Sequence, residues 1–207
     1  MRNRLLQVIG AGLLSVVSPY GMARAAESAV TVPSELKPPD GNELLFKAQA
    51  TGTQNYICMP SGSAMAWTFI GPQATLFTTI KLGNFELKWQ IATHFLSPNA
   101  AEGGTARPTW QSSLDTSAVW ARAIASSNDP AVVAPGAIPW LLLQTAGTRT
   151  GLDGSAGLSQ VTYIQRLNTS GGVAPATGCS IASDLGHTAF VPYGAEYSFY
   201  KSARSGH

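Results

Sequence analysis

The chain has 207 residues, of which 44% are hydrophobic and 12% charged, a balance that excludes a disordered tail and a coiled coil. Its 13 basic and 11 acidic residues give a formal net charge of +2, but Arg2, Arg4 and Arg24 lie in the first 25 residues with no acid among them, so the rest of the chain carries 10 bases against 11 acids, a net of −1. That excludes a strongly basic nucleic-acid binder.

In chain order, residues 1–25 have the form of a secretory leader. Arg2 and Arg4 make a positive start, and Leu5 to Val17 is an apolar run of 13 residues. Pro19, Tyr20 and Gly21 break it, and Ala23-Arg24-Ala25 fits a small-x-small cleavage site. A run of this length is too short to span a bilayer, which needs about 20 residues. No other segment approaches that length, so a secreted or periplasmic protein without a membrane span is expected. Residues 26–42, with Pro33 and Pro38-Pro39, read as an extended arm.

Residues 43–203 read as one domain. No amphipathic helix of useful length occurs. The 21 Gly and 13 Pro punctuate short runs rich in Val, Ile, Thr, Tyr, Phe and Trp, the pattern of an all-β sandwich or flattened barrel. Strands are expected in Leu44–Cys58, with Gly52 as a break or bulge. They are also expected over Ala64–Ile70, Phe85–Phe95, Thr116–Ile124, Ile138–Thr145, Val161–Leu167 and Ala189–Lys201, for about nine or ten in total. In the clearest of these, Phe85, Leu87, Trp89, Ile91 and Phe95 share one parity, and Glu86, Lys88, Gln90, Ala92 and His94 the other. The apolar set is therefore expected to face the core. Leu141-Leu142-Leu143 is apolar on both faces and reads as part of a central strand. Ser97–Pro108 and Thr169–Gly186 read as long loops, and residues 204–207 as a polar tail.

Export would place Cys58 and Cys179 in an oxidising compartment, and their even number favours one bridge over two separate thiols. Such a bridge closes a loop of about 120 residues and stabilises by about 4–5 kcal/mol in the chain-entropy model. Two cysteines and three scattered histidines do not have zinc-site spacing, and no metal or cofactor is expected.

The order of short blocks along the chain is distinctive. They are Asn55-Tyr56-Ile57-Cys58, Pro72-Gln73-Ala74-Thr75-Leu76-Phe77 after Trp67, Thr93-His94-Phe95 and Pro108-Thr109-Trp110-Gln111. Pro135-Gly136-Ala137-Ile138-Pro139-Trp140-Leu141-Leu142-Leu143 and Ile164 to Pro175 follow. Gly178-Cys179 and Val191-Pro192-Tyr193 with Tyr197 to Tyr200 complete the series. Together they resemble a secreted bacterial and fungal family catalogued as domain of unknown function 3455. The resemblance covers about residues 40–201 and implies export, one β-rich domain and a paired Cys58 and Cys179. Some members of that family carry a malate-dehydrogenase label. No Gly-rich dinucleotide turn supports it in this chain.

Motifs of common hydrolases are absent, since no G-x-S-x-G or H-E-x-x-H occurs and Ser155 has only Asp153 nearby. His94 is the candidate general base, on the polar parity of its strand. Its alternative is a solvated or carbonyl-bonded histidine. Asp184 and His187 lie close in sequence and are possible partners, as is Glu196. Trp110, Arg107 and Glu196 are the candidate ligand-binding residues, and Trp110 beside Arg107 suits stacking on a sugar or aromatic ligand if it is exposed, and plugging the end of the fold if it is not. Trp67, Trp89 and Trp140 read as core. Arg166, in an otherwise apolar strand beside Gln165, is expected to pair with Glu196 or Asp184. The function expected is a non-catalytic exported protein that binds a glycan or small molecule, or serves in the envelope or at the cell surface. The alternative is a secreted hydrolase or lyase with its site near His94 and Trp110.

Overall fold

The computed structural model describes residues 31–203. The expected leader 1–25, the start of the expected arm and the expected tail 204–207, with His207, lie outside the described residues. Eight strands follow one another: β1 Asn42–Ser61, β2 Ala64–Leu82, β3 Phe85–Asn99, β4 Thr105–Ser112, β5 Ala118–Ser127, β6 Trp140–Arg149, β7 Val161–Gly171 and β8 Thr188–Ser202. Each pairs antiparallel with the next, and β8 returns to β1, so the sheet closes into a barrel. The fold is all-β, in the barrel form rather than as two stacked sheets. Closure gives every strand two neighbours and leaves no open edge along the sheet.

Strands are fewer and longer than the sequence pattern indicates. Gly52 does not end β1, and Gly71-Pro72 lies inside β2. The extra residue there is Ile70, because Asn55 pairs with Gly71 while Tyr56 pairs with Phe69. Pro72 pairs with Gln54 of β1 and lies before the β2–β3 ladder, which begins at Ala74. Gly52 is required by close approach, since a Cβ there would run into the Gln73 carbonyl and the Ala74 backbone.

The expected loop Ser97–Pro108 is a tight hairpin. β3 continues to Asn99 and β4 begins at Thr105, with a single 3-10 turn, Ala100–Glu102, between them. The buried Asn99 side chain organises it, accepting from the Ala101 amide at 3.2 Å and donating to Glu102 and to the Ala146 carbonyl. The second expected loop survives as residues 172–187. It is pinned by a Cys58–Cys179 disulfide with Cα atoms 5.4 Å apart, and by Cys58 exchanging backbone bonds with Gly186 and His187.

An eight-stranded barrel has an interior just wide enough for side chains to fill. Here β1 to β3 supply small ones, Ala48, Ala50, Ala74 and Ala92 with Leu76. On the strands that flank these three stand Trp110 of β4 and Tyr193, Tyr197 and Phe199 of β8. The apolar residues therefore line the lumen, the reverse of membrane-spanning barrels with polar interiors. Among the described residues no helix is long and apolar enough to cross a membrane.

The expected facing of Phe85–Phe95 is corrected. Ala92 and His94 are buried, while Phe85 is 80% and Trp89 48% exposed. The cause is a bulge at Ile91, where Leu76 pairs with Ala92 but Phe77 pairs with Gln90. Beyond it, Trp89, Leu87 and Phe85 lie opposite Thr78, Ile80 and Leu82, on the lumen side of the wall. That part of the hairpin runs past the barrel rim, so residues 79–90 are exposed throughout.

A second apolar cluster lies on the outer wall. Leu142 points away from the lumen and is covered by Leu36, Val133, Ala137, Trp140 and Leu167. Thus β6 is covered on both faces, Leu143 inside and Leu142 outside. The described part of the arm does not project. Leu36, in a 3-10 turn over Ser34–Leu36, is fully buried, and its carbonyl accepts from Gln165 Nε2 at 2.6 Å.

Candidate functional site

His94 of β3 and Trp110 of β4 are directly opposed residues of adjacent strands, both facing the lumen. Their rings stack at 4.1 Å between centroids with planes 8° apart. Tyr197 of β8 meets both edge-on at 5.5 Å, and Phe199 meets Trp110 edge-on at 6.2 Å. The His94 Nδ1 lies 2.9 Å from the Thr109 carbonyl. A carbonyl only accepts, so Nδ1 carries the proton and Nε2 is left as an acceptor. Burial drives the imidazole pKa down to about 3; the hydrogen bond to Thr109 opposes that change and the positive charge of Arg166 adds to it. His94 is therefore neutral at ordinary pH.

Beside this stack lies a cavity of about 240 Å³, lined by Gln54, Tyr56, Phe69, Pro72, His94, Pro108, Trp110, Ile138, Pro139, Leu141, Leu143, Arg166 and Tyr197. Phe69, on its rim, is half exposed and packs against Tyr56, whose hydroxyl is tied to the Gly172 carbonyl at 2.7 Å. Three of the lining side chains have buried polar atoms with no hydrogen-bond partner: Gln54 Nε2, Trp110 Nε1 and the Tyr197 hydroxyl. Buried polar groups are nearly always paired, so three orphans on one cavity mark it out. The Tyr193 hydroxyl adds a fourth such atom nearby, its pKa pushed up by burial and by Tyr197. A wider depression of about 710 Å³ over Gly52, Gly71 and Gln73 shares His94 and Pro72 with the first.

The structure keeps Arg107, Glu196, Asp184 and His187 out of this cavity and brings only Trp110 to it, buried. Trp110 is 1% exposed, so it cannot stack on a sugar from solvent and instead fills the lumen. Arg107 makes a two-pronged pair with Glu102 at 2.9 and 2.8 Å, which holds the Glu102 carboxyl down to about 2. Glu196 lies opposite Gln49 and binds it and Lys47 at 3.2 and 2.9 Å. Asp184 caps its own turn through the Ser180 and Ile181 amides, with His187 at 3.8 Å. None of these acids hydrogen-bonds to His94, and among the described residues no three His, Cys, Asp or Glu side chains gather to hold a metal. Arg166 pairs with neither Glu196 nor Asp184. Its Nε and Nη2 both donate to the Pro139 carbonyl, at 3.1 and 3.0 Å. Gln165 is a satisfied core residue, bonded to Leu36 and Tyr200.

Residues 38–201 match the family model described as "Protein of unknown function (DUF3455)". The chain belongs to that family. No curated protein and no solved structure matches it. All residues lining the cavity, from Gln54 to Tyr197, fall within the DUF3455 match.

Gln54 and Tyr197 were not legible as site residues. One signal was present: Gln54 continues the parity of Ala48, Ala50 and Gly52, a polar side chain on an otherwise small, apolar face. The cavity offers donors, aromatic faces and a neutral imidazole acceptor, and among the described residues no acid hydrogen-bonds to His94.

Proposed function

We propose that the protein is exported and non-catalytic, and that it binds a small, largely apolar molecule carrying a hydrogen-bond acceptor in the cavity beside His94 and Trp110. The observation that carries this reading is the set of unpaired, buried polar atoms of Gln54, Trp110 and Tyr197 on one aromatic-walled cavity. Ligand pockets combine apolar walls with a few converging polar groups in this way. The Cys58–Cys179 disulfide supports an oxidising compartment, with residues 1–25 as the leader. A hydrolase or lyase centred on His94 is the weaker reading, because its imidazole is stacked, carbonyl-bonded and without a contacting acid.

A thermal-shift and tryptophan-fluorescence screen tests it, with small aromatic acids, amides and ketones set against mono- and oligosaccharides. At a hundred times Kd, a binder adds about 2.7 kcal/mol, which raises Tm by about 5–10 °C for a domain of this size. A stabiliser from the aromatic set that loses its effect in Trp110→Phe is expected. Stabilisation by sugars alone, or by nothing in the panel, overturns the proposal.

A further inference from the structure

Resting on that reading, we infer that the ligand's acceptor is a carboxylate, anchored by Arg166, and that its body is a single aromatic ring with a short chain. The charge balance of the cavity points this way. Its lining contains one cation, Arg166, and no Asp or Glu. Among the described residues, Arg166 takes part in none of the ion pairs, which join Lys47 to Glu196, Lys81 to Glu86, Arg107 to Glu102, His187 to Asp184 and Lys201 to Glu43.

The guanidinium is held rather than free. Two of its five N–H donors are spent on the Pro139 carbonyl, which leaves a planar, always-charged fork with donors to spare. Its positive charge also reaches Tyr56 and His94 in the lining and Tyr193 nearby.

The orphans match the same ligand. The Trp110 indole and the Gln54 amide nitrogen donate only, and the Tyr197 hydroxyl can donate. A carboxylate accepts about four hydrogen bonds and meets a guanidinium two-pronged, so it uses donors that a neutral carbonyl would leave unmet. The apolar remainder has Leu141, Leu143 and Ile138 on one side and the rings of Trp110 and Tyr197 on another. A cavity of about 150 Å³ holds benzene, and this one is about 240 Å³, which allows a ring plus a short acid-bearing chain.

The test compares 3-phenylpropanoate with 3-phenylpropanamide, equal in shape and different in charge, by calorimetry on the wild-type protein. A wider neutral panel of phenyl ketones and alcohols is run alongside. The acid is expected to bind at least ten times more tightly than the amide. That preference should vanish in Arg166→Gln and persist in Arg166→Lys. An amide that binds as tightly as the acid overturns the carboxylate while leaving the cavity a binding site. An acid preference undiminished in folded Arg166→Gln overturns Arg166 as its anchor. If neither the acid, the amide nor any neutral compound binds, the binding reading itself fails. The wild-type comparison needs no variant, so a misfolded Arg166→Gln leaves the inference open to refutation.

Discussion

Stability should fall in mild acid because of one residue, His94. Its imidazole has a pKa of about 3 in the folded protein, against about 6.5 in an unfolded chain. The folded value is depressed, so the unfolded state takes up the proton first as pH falls. The folded state is at full advantage above about pH 6.5 and loses about 1.4 kcal/mol for each tenfold rise in proton concentration below it, until the folded group also titrates. Between pH 6.5 and 4.5 the loss attributable to His94 is about 2–3 kcal/mol. The perturbation is His94→Gln, which cannot titrate but keeps an amide donor for the Thr109 carbonyl. Urea unfolding of both proteins at closely spaced pH values from about 7.5 to about 4.5 gives the difference directly. The window stops there because Glu102, Asp153 and Asp184, all with lowered pKa values, lose their own contributions in stronger acid. The expected outcome is a gap that closes by about 2–3 kcal/mol as pH falls, whatever its size at neutral pH. A gap that stays constant to within about 0.5 kcal/mol refutes the account of a buried, neutral imidazole, because even a tenfold change in proton affinity on folding would close it by about 1.4 kcal/mol.

Three further outcomes follow from packing. Replacing both Cys58 and Cys179 with Ala removes a link across 121 residues, and chemical denaturation should show a loss of about 4–5 kcal/mol, with oxidised and reduced variant identical. Leu36→Ala should cost about 2–5 kcal/mol, because the side chain is fully enclosed on the outer wall of β6, and hydrogen exchange should rise at Gln165, whose side chain bonds to that turn. Leu82→Ser with Phe85→Ser should leave the unfolding free energy within about 0.5 kcal/mol of wild type, since both side chains stand beyond the barrel rim. A larger loss there would show that the hairpin packs against the barrel in solution.

Much of the architecture was legible in local signals. Alternating Val, Ile, Thr and aromatic residues mark strands because a pleated chain presents every second side chain to the same face. Seven of the eight strands announce themselves so, and the triple leucine of β6 declares itself covered on both sides. β4 did not, because Pro108 and the Gly103-Gly104 turn before it look like loop, and only Asn99 folding back on Glu102 and Ala146 closes that turn. The pairing of Cys58 with Cys179 followed from their count and the expectation of export, and the family from the order of short blocks.

The site could not be found that way. Alternation divides a strand into two faces without saying which one curves inward, and a single bulge at Ile91 exchanges them for Phe85–Trp89. Barrel closure then decides the rest. It places Gln54 of β1, Trp110 of β4, Arg166 of β7 and Tyr197 of β8 on one cavity, although they are spread over more than 140 residues of sequence. It also turns His94 from an apparent surface base into a buried, neutral ring. Burial and hydrogen-bond satisfaction belong to the closed sheet, and no single strand contains the information that sets them.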